Sequence, residues 1–285
     1  MKLQNSFTRS STAAAALALV LTSQLALSQG SLTPPGPPAP SMKTLAQIEP
    51  RTPISSLPYS ITNSGSYYVT TNLSLDIESH GIAISADNVT LDLCGFTLTG
   101  GSDSINAIYV LGKNVKVRNG SIRQWNGFGV SGYLSTGVQM EDLTASECGW
   151  GFAVGASGTI ERCVAHHNYD GIVVGLSYSS GATVRECTAN FNNAAGIRIV
   201  GADNRIDSNL VVSNRVVGIT VEGMRNLIVR NKASRNAVNA YGNANNYLIP
   251  QPTPPTNKWG RIVEDNGEIA SGSGWENFSD PSYIQ

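Results

Sequence analysis

Residues 151–239 contain one short pattern that returns about every 22 residues, and this repeat decides the fold. Its four openings share the order glycine, apolar, variable, apolar. They read Gly151-Phe152-Ala153-Val154, Gly171-Ile172-Val173-Val174, Gly196-Ile197-Arg198-Ile199 and Gly218-Ile219-Thr220-Val221. Three further positions recur in each unit: a second apolar run (Ile160, Val184, Ile206, Ile228), a corner residue (Cys163, Cys187, Asn209, Asn231) and a closing asparagine (Asn168, Asn192, Asn214, Asn236).

The repeat predicts short strands. Its apolar runs are rich in Val, Ile and Thr and alternate in polarity, which is typical of strands and not of the 3.6-residue period of a helix. Gly and Asn between the runs supply the left-handed backbone that tight turns need. Leucine-rich repeats have a similar period, but the sequence has neither their leucine framework nor an amphipathic helical half. We therefore expect an all-β fold: a single-stranded right-handed parallel β-helix of about seven coils, with an N-terminal cap and a C-terminal tail.

Stacked coils make equivalent positions into neighbours, so the repeat also predicts a register. Cys163 should lie against Cys187, and Asn209 against Asn231, as an inward amide ladder. One charged column should alternate in sign through its first four members, as stacked strands favour. Its predicted members are Arg118, Asp142, Arg162, Glu186, Ser208 and Arg230.

Composition and the chain ends limit the setting in which the protein works. A formal net charge of −1 with 14% charged residues is too balanced to hold nucleic acid by neutralising phosphates. Residues 1–28 have the charged start, apolar centre and small-residue end of a secretory signal, with cleavage expected before Gln29. A membrane-spanning segment is the alternative, but the apolar run is short and interrupted. We expect the mature chain to be secreted, periplasmic or at the cell surface, without insertion into a membrane.

The remaining boundaries follow from where the repeat starts and stops. Residues 29–52 are a proline-rich linker, residues 53–80 should form cap strands, residues 81–242 the β-helix and residues 243–285 the tail. We expect the tail to fold back on the coil through Trp275 and Phe278, with disorder as the alternative.

Residues 42–75 (Met-Lys-Thr-Leu-Ala-Gln-Ile-Glu-Pro-Arg-Thr-Pro-Ile, then Gly65-Ser66-Tyr67-Tyr68-Val69) resemble the lead-in of a group of exported bacterial β-helix proteins. The run from Gly81 to Leu98 resembles the first coil of that group. These proteins are similar to the pectin-lyase-like superfamily, which contains polysaccharide lyases, hydrolases and epimerases. The resemblance implies the fold over most of residues 40–285 and a possible polysaccharide partner. It carries no catalytic residue onto a position of this chain.

The candidate catalytic residues are His166, His167, Tyr169 and Glu147. A step of about 20 residues places Glu147 one coil below His167, and we expect Arg123 one coil below Glu147. A carboxylate beside an imidazole could raise its pKa and prepare it for proton transfer on a uronate, with Tyr169 acting beside it. The alternative is a solvated surface ladder on a turn.

The candidate ligand-binding residues add aromatic rings to this region. Asp170 should lie over Trp150, and Trp125 and Tyr169 should share a neighbouring column, where their rings could stack on sugars. Shielding of the corner of the coil is the alternative. Together with Arg123, these residues complete the predicted binding surface.

Neither a metal site nor a cofactor is expected. Most carboxylates have an arginine above or below them in the predicted register, and the sequence shows no CxxC and no acidic cluster for Ca²⁺. Cys163 and Cys187 could form a disulfide across adjacent coils, although stacked free thiols fit equally well with a buried position.

Two functions remain open. One is a non-catalytic extracellular module that binds glycans or acts as a structural or adhesive element. The other is a polysaccharide lyase or epimerase acting on a polysaccharide that contains uronic acid. The sequence does not specify an oligomeric state.

Overall fold

The structure is a computed structural model that describes residues 49–175, 181–237, 245–249, 257–259, 262–264 and 276–280. Residues 50–285 form one compact unit. The predicted signal, most of the linker and Trp275 lie outside the described residues. The described part of the chain contains strands and no helix. The strands are β1 (Thr52–Ile54), β2 (Tyr59–Ile61), β3 (Gly65–Val69), β4 (Leu73–Ser74), β5 (Ile82–Ile84), β6 (Val89–Asp92), β7 (Thr97–Thr99), β8 (Ile108–Val110), β9 (Lys116–Arg123), β10 (Phe128–Gly132), β11 (Gln139–Ser146), β12 (Trp150–Val154), β13 (Thr159–Glu161), β14 (Val164–His166), β15 (Asp170–Val174), β16 (Thr183–Arg185), β17 (Thr188–Asn190), β18 (Ala195–Ile199), β19 (Arg205–Asp207), β20 (Leu210–Val212), β21 (Val217–Val221), β22 (Leu227–Val229), β23 (Lys232–Ser234), β24 (Tyr247–Leu248), β25 (Lys258–Trp259), β26 (Ile262–Glu264) and β27 (Asn277–Asp280).

One sheet contains the strands that open each repeat. Its order is β2-β5-β8-β10-β12-β15-β18-β21-β24, and every pairing is parallel. Ile172 pairs with Ile197, which pairs with Ile219, so each coil places this apolar position directly over the equivalent position of the coil before it. The seven strands from β5 to β21 fall within residues 81–242. The prediction of an all-β parallel coil of about seven turns is confirmed.

The remaining strands form a second sheet that bends around two sides of the coil. In the lower coils β9 and β11 run continuously through the bend. In the upper coils the same path is split into pairs such as β13 and β14, or β16 and β17. The predicted column Ile160, Val184, Ile206 and Ile228 is paired in register along this sheet.

Each coil turns at three corners, and most corners contain a residue with positive φ. Glycine and asparagine were expected in this role, yet most such residues are charged, polar or aromatic. At one corner they are Asn119, Asp142, Arg162, Glu186, Ser208 and Arg230, and at the next Gln124, Glu147, His167, Phe191, Ser213 and Arg235. At both corners, these residues immediately precede the inward-facing columns that include the corner and closing asparagines. Several of these residues donate their backbone N–H to a carbonyl of the next coil, as Arg162 does to Arg185 and Glu186 does to Asp207.

Three asparagine ladders run along the interior of the coil. In each ladder the backbone N–H and the Nδ2 of one asparagine donate to Oδ1 of the next one up, as Asn209 does to Asn231 at 3.0 and 2.9 Å. This confirms the predicted amide ladder and places Cys187 below it, where its N–H donates to Asn209 Oδ1. The corner ladder is Asn209, Asn231 and Asn277; the turn ladder is Asn168, Asn192, Asn214, Asn236 and Asn246; the third ladder is Asn204, Asn226 and Asn257.

Strands that pair in parallel with the neighbouring coil extend both ends of the stack. The predicted cap strands pair with the following coil, for example β3 with β6. The described parts of the tail also continue the ladders: β24 pairs with β21, and β27 pairs with β23. The tail was expected to fold back, and it does so as added strands, with the backbone of Phe278 paired to Lys232.

Candidate functional site

A groove of about 630 Å³ opens to solvent at the corner between the two sheets. It crosses several coils, and it brings together three of the four predicted catalytic residues. The lining residues are Gly100, Gly101, Ser102, Gln124, Trp125, Asn126, Glu147, Cys148, Gly149, His167, Tyr169 and Asn193.

Gln124, Glu147 and His167 follow one another up the coil in the left-handed corner column. Gln124 Nε2 donates to Glu147 Oε2 at 3.0 Å, and the N–H of Glu147 donates to the carbonyl of His166 in the coil above. The predicted step from Glu147 to His167 is therefore confirmed. The expected position of Arg123 is wrong by one residue: Arg123 pairs with Ser146, because the lower coil is 23 residues long at this point.

The two histidines face each other at the upper end of the groove. Their Nδ1 atoms are 2.9 Å apart, and the ring of His167 stacks on Phe191 with centroids 5.6 Å apart. Partial burial lowers the pKa of His166, and the charge of His167 lowers it further, while Glu147 opposes the shift. Its imidazole is therefore neutral at neutral pH and can accept or share a proton.

Aromatic rings continue from the groove along the neighbouring sheet. Tyr169 is 56% exposed, and its ring meets the edge of Trp150 at 6.3 Å between centroids. Trp150 stacks on Phe128 at 4.9 Å, and Phe128 contacts Tyr133 at 5.8 Å. Tyr169 is the exposed member of this row, and an exposed aromatic ring is suited to stacking on a sugar ring.

Trp125 does not belong to this exposed row, so its predicted role as a stacking residue is wrong. It is 1% exposed, and its Nε1 donates to the carbonyl of Leu98 at 3.2 Å. A Cβ at Gly100 would lie 2.8 Å from Trp125 Cδ2, so the indole fills the space that the glycine leaves. Trp125 lies two residues after Arg123, in line with Cys148 and Asn168, whose side chains point inward. It supports the floor of the groove from inside.

Asp170 also differs from its predicted role as a ligand-binding residue. It pairs over Trp150 as expected, but it is 2% exposed and bonded to the protein. Its Oδ1 accepts from the N–H of Ala195 at 2.8 Å, and the Trp150 side chain donates to it. Burial raises the pKa of this carboxyl, while the hydrogen bonds and Arg198 counter the rise. Asp170 holds the orientation of Trp150 and does not reach solvent.

Arginines neutralise many of the remaining carboxylates along the outer surface. Arg162 Nε lies 2.8 Å from Asp142, and Arg162 also contacts Glu161, which Arg185 approaches at 2.7 Å. The predicted start of this column was wrong, because Arg118 pairs with Glu141 and bonds Asp92 at 3.0 Å. Among the residues described, no group of three His, Cys, Asp or Glu is placed to hold a metal ion.

The four cysteines are free thiols in this structure. Cys163 and Cys187 are buried on adjacent coils, and their sulfurs donate to carbonyls of their own corner. Hydrogen bonding to Cys187 and burial raise the pKa of Cys163. The Cys163 thiol is therefore protonated and unreactive at neutral pH.

Sequence reasoning missed several residues of the groove. Gln124 and Phe191 occupy the same column as Glu147 and His167, and could have been found by counting one residue before each inward position. Asn126 and Asn193 are exposed at the groove and carry no periodic signal. Phe128 could have been found from its spacing to Trp150, with which it pairs.

The chain belongs to the family described as right handed beta helix region, which matches residues 60–204, just over half of its length. The fold is thus a right-handed parallel β-helix. No curated protein matches the chain. None of the described residues forms a helix long and apolar enough to cross a membrane.

Several solved structures share the coil. The Azotobacter vinelandii mannuronan C-5 epimerase AlgE6 A-module is 12% identical, with a TM-score of 0.49 over 82% of this chain and 79% of that one. A rhamnogalacturonan lyase is 16% identical, with a TM-score of 0.48 over 81% and 75%. The periplasmic alginate epimerase AlgG is 15% identical, with a TM-score of 0.45 over 78% and 70%. Likeness at this level says nothing about what this chain binds or transforms.

Proposed function

We propose that this protein is a secreted, non-catalytic module that binds a polysaccharide in the groove beside Tyr169. The observation that carries the proposal is the exposed ring of Tyr169 at a groove whose other walls supply amide, hydroxyl and carboxylate groups. A sugar chain presents apolar ring faces and a rim of hydroxyls, so it needs both kinds of partner. Gln124, Asn126 and Asn193 supply amide donors and acceptors along the same groove.

The test is a glycan array followed by titration of each binding glycan against three proteins. Tyr169→Ala should weaken binding about tenfold or more, because one stacked aromatic ring contributes on the order of 1–2 kcal/mol. Tyr68→Ala is the matched control, since Tyr68 is a partly exposed tyrosine on another strand, covered by Arg51 at 4.7 Å. Equal affinity of the wild-type protein and Tyr169→Ala for every glycan would refute the proposal.

A lyase or epimerase is the second candidate, and it is favoured by the shared location of Glu147, His167 and Tyr169 in one groove. In the lyase reaction His167 would take the proton on C5 of a uronate, and Tyr169 would protonate the departing glycosidic oxygen. An epimerase would return a proton to C5 from the opposite face. Unsaturated ends or altered uronate signals in nuclear magnetic resonance would reveal either reaction. Activity should vanish in His167→Ala and persist in His80→Ala, a histidine outside the groove lining.

The proposal includes the route by which the protein reaches its glycan. Residues 1–28 serve as an export signal and residues 29–52 as a spacer before the coil. The mature chain then acts in the periplasm, at the cell surface or outside the cell. Sequencing of the exported protein should give Gln29 as its first residue, and a retained Met1 would rule out this route.

A further inference from the structure

Carboxylates lie in the middle of the groove and beside its lower end. Glu147 lines its middle coil and is exposed, with one carboxylate oxygen held by Gln124 at 3.0 Å. At the lower end, the carboxylate of Asp76 lies against Gly101, where a Cβ would be only 1.9 Å from Asp76 Oδ1. Asp103 follows Ser102 and accepts from its hydroxyl at 3.2 Å.

These carboxylates are tied together as part of the local structure. The N–H of Asp103 donates to Asp76 Oδ1 at 3.4 Å, so the loop at residues 100–103 holds both acidic side chains near the groove. Arg123 is a nearby cation, and its Nε donates to Thr99 Oγ1 at 3.2 Å on the strand surface next to the corner. A ligand that crosses the lower and middle coils of the groove therefore passes both the acidic loop and Glu147.

We infer that the groove selects sugar chains that carry protonated amines, such as glucosamine units, over neutral chains, and neutral chains over uronates. The inference rests on the proposed function and names its ligand class. An ammonium group close to Glu147 gains Coulomb attraction, and the exposed face of Tyr169 also attracts cations. A uronate carboxylate at the same position is repelled by Glu147. This order is the opposite of what an enzyme acting on uronates would show.

The experiment compares three soluble hexasaccharides by calorimetric titration: a β-1,4-linked glucosamine chain, the same chain fully N-acetylated, and a galacturonate chain. The first two differ only at the amine, so their affinity ratio isolates its charge. One solvent-exposed charge pair about 5 Å apart, in surroundings with a dielectric constant close to that of water, changes affinity about threefold to tenfold. Raising the salt from 0.02 to 0.5 M should reduce the ratio, because screening then acts within a few ångströms.

Glu147→Gln keeps the size and the hydrogen-bonding capacity of the side chain and removes its charge. It should lower the affinity for the glucosamine chain relative to the acetylated chain, and raise the affinity for galacturonate relative to the acetylated chain, by about the same threefold to tenfold. Tighter binding of galacturonate than of glucosamine by the wild-type protein, lost in Arg123→Gln, would overturn the inference while leaving the proposed function intact. Failure of all three chains and of the array to bind would defeat the proposed function itself.

Discussion

Substitution of Asn214 by alanine tests the energetic role of the turn ladder. Asn214 is 1% exposed and makes four hydrogen bonds. Its Oδ1 accepts from the N–H and the Nδ2 of Asn192 at 3.0 and 2.9 Å, and its Nδ2 donates to the Ala189 carbonyl at 2.9 Å and to Asn236 Oδ1 at 2.8 Å. Each buried hydrogen bond contributes about 1 kcal/mol net, and the groups left behind stay buried without their partner. The loss should therefore be about 3–5 kcal/mol.

Urea unfolding followed by circular dichroism measures this loss as a lower midpoint concentration. Asn193→Ala is the matched control, because Asn193 directly follows the ladder residue Asn192 in the sequence and is exposed. Surface substitutions of this kind change stability by less than about 0.5 kcal/mol. A midpoint for Asn214→Ala equal to that of Asn193→Ala would show that the ladder contributes nothing to the stability of the coil, and the reasoning would be wrong.

Two further predictions concern the core and the charged surface. Trp125→Ala should lower the free energy of unfolding by about 3–5 kcal/mol, and Trp125→Phe by clearly less, because the indole fills the interior and donates to the Leu98 carbonyl. Equal losses for the two variants in thermal unfolding would contradict this role of the indole in packing. Burial would raise the pKa of Asp207, but bonds from Arg230 and Arg205 lower it from 3.8 to about 2. The ionised Asp207 carboxylate therefore contributes fully to stability above pH 4, and this contribution is lost as the pH falls from 4 towards 2. Asp207→Asn should lower the free energy of unfolding at pH 7 by up to about 2 kcal/mol and flatten the acid side of the plot of stability against pH. An unchanged acid side would refute this.

The register of the upper coils could be predicted because their length is constant. Coils of 22 residues put Asn209 over Cys187 and Asn231 over Asn209, and both placements are confirmed. The lower coils vary from 20 to 26 residues, since their turns hold different numbers of residues. A fixed step therefore found the neighbour of Glu147 above it but misplaced Arg123 below it.

The burial of Trp125 could not be read from the repeat. Its column consists of asparagine in the upper coils and changes to Cys148 and then Trp125 in the lower coils, so no shared residue type marks the position as interior. Asp170 was misjudged for a related reason. The position of Asp170 over Trp150 follows from the spacing of the coils. The hydrogen bond that its carboxylate accepts from the Ala195 N–H depends on the turn of the next coil.

The convergence of Glu147, His167 and Tyr169 was predictable because all three lie near one corner on adjacent coils. The acidic loop at residues 100–103 was not, because it depends on Asp76 reaching Gly101 from a coil below. Periodicity places residues in columns, whereas the charge of a groove depends on turns that do not repeat.

A crystal structure with a bound oligosaccharide tests the central claim most directly. The glycan should be the tightest ligand found by titration, soaked at a concentration near its dissociation constant. The account predicts one sugar ring against the exposed face of Tyr169, with its polar groups within hydrogen-bond distance of Gln124 or Glu147. A sugar bound on another surface of the coil, with the groove containing only solvent, would contradict it.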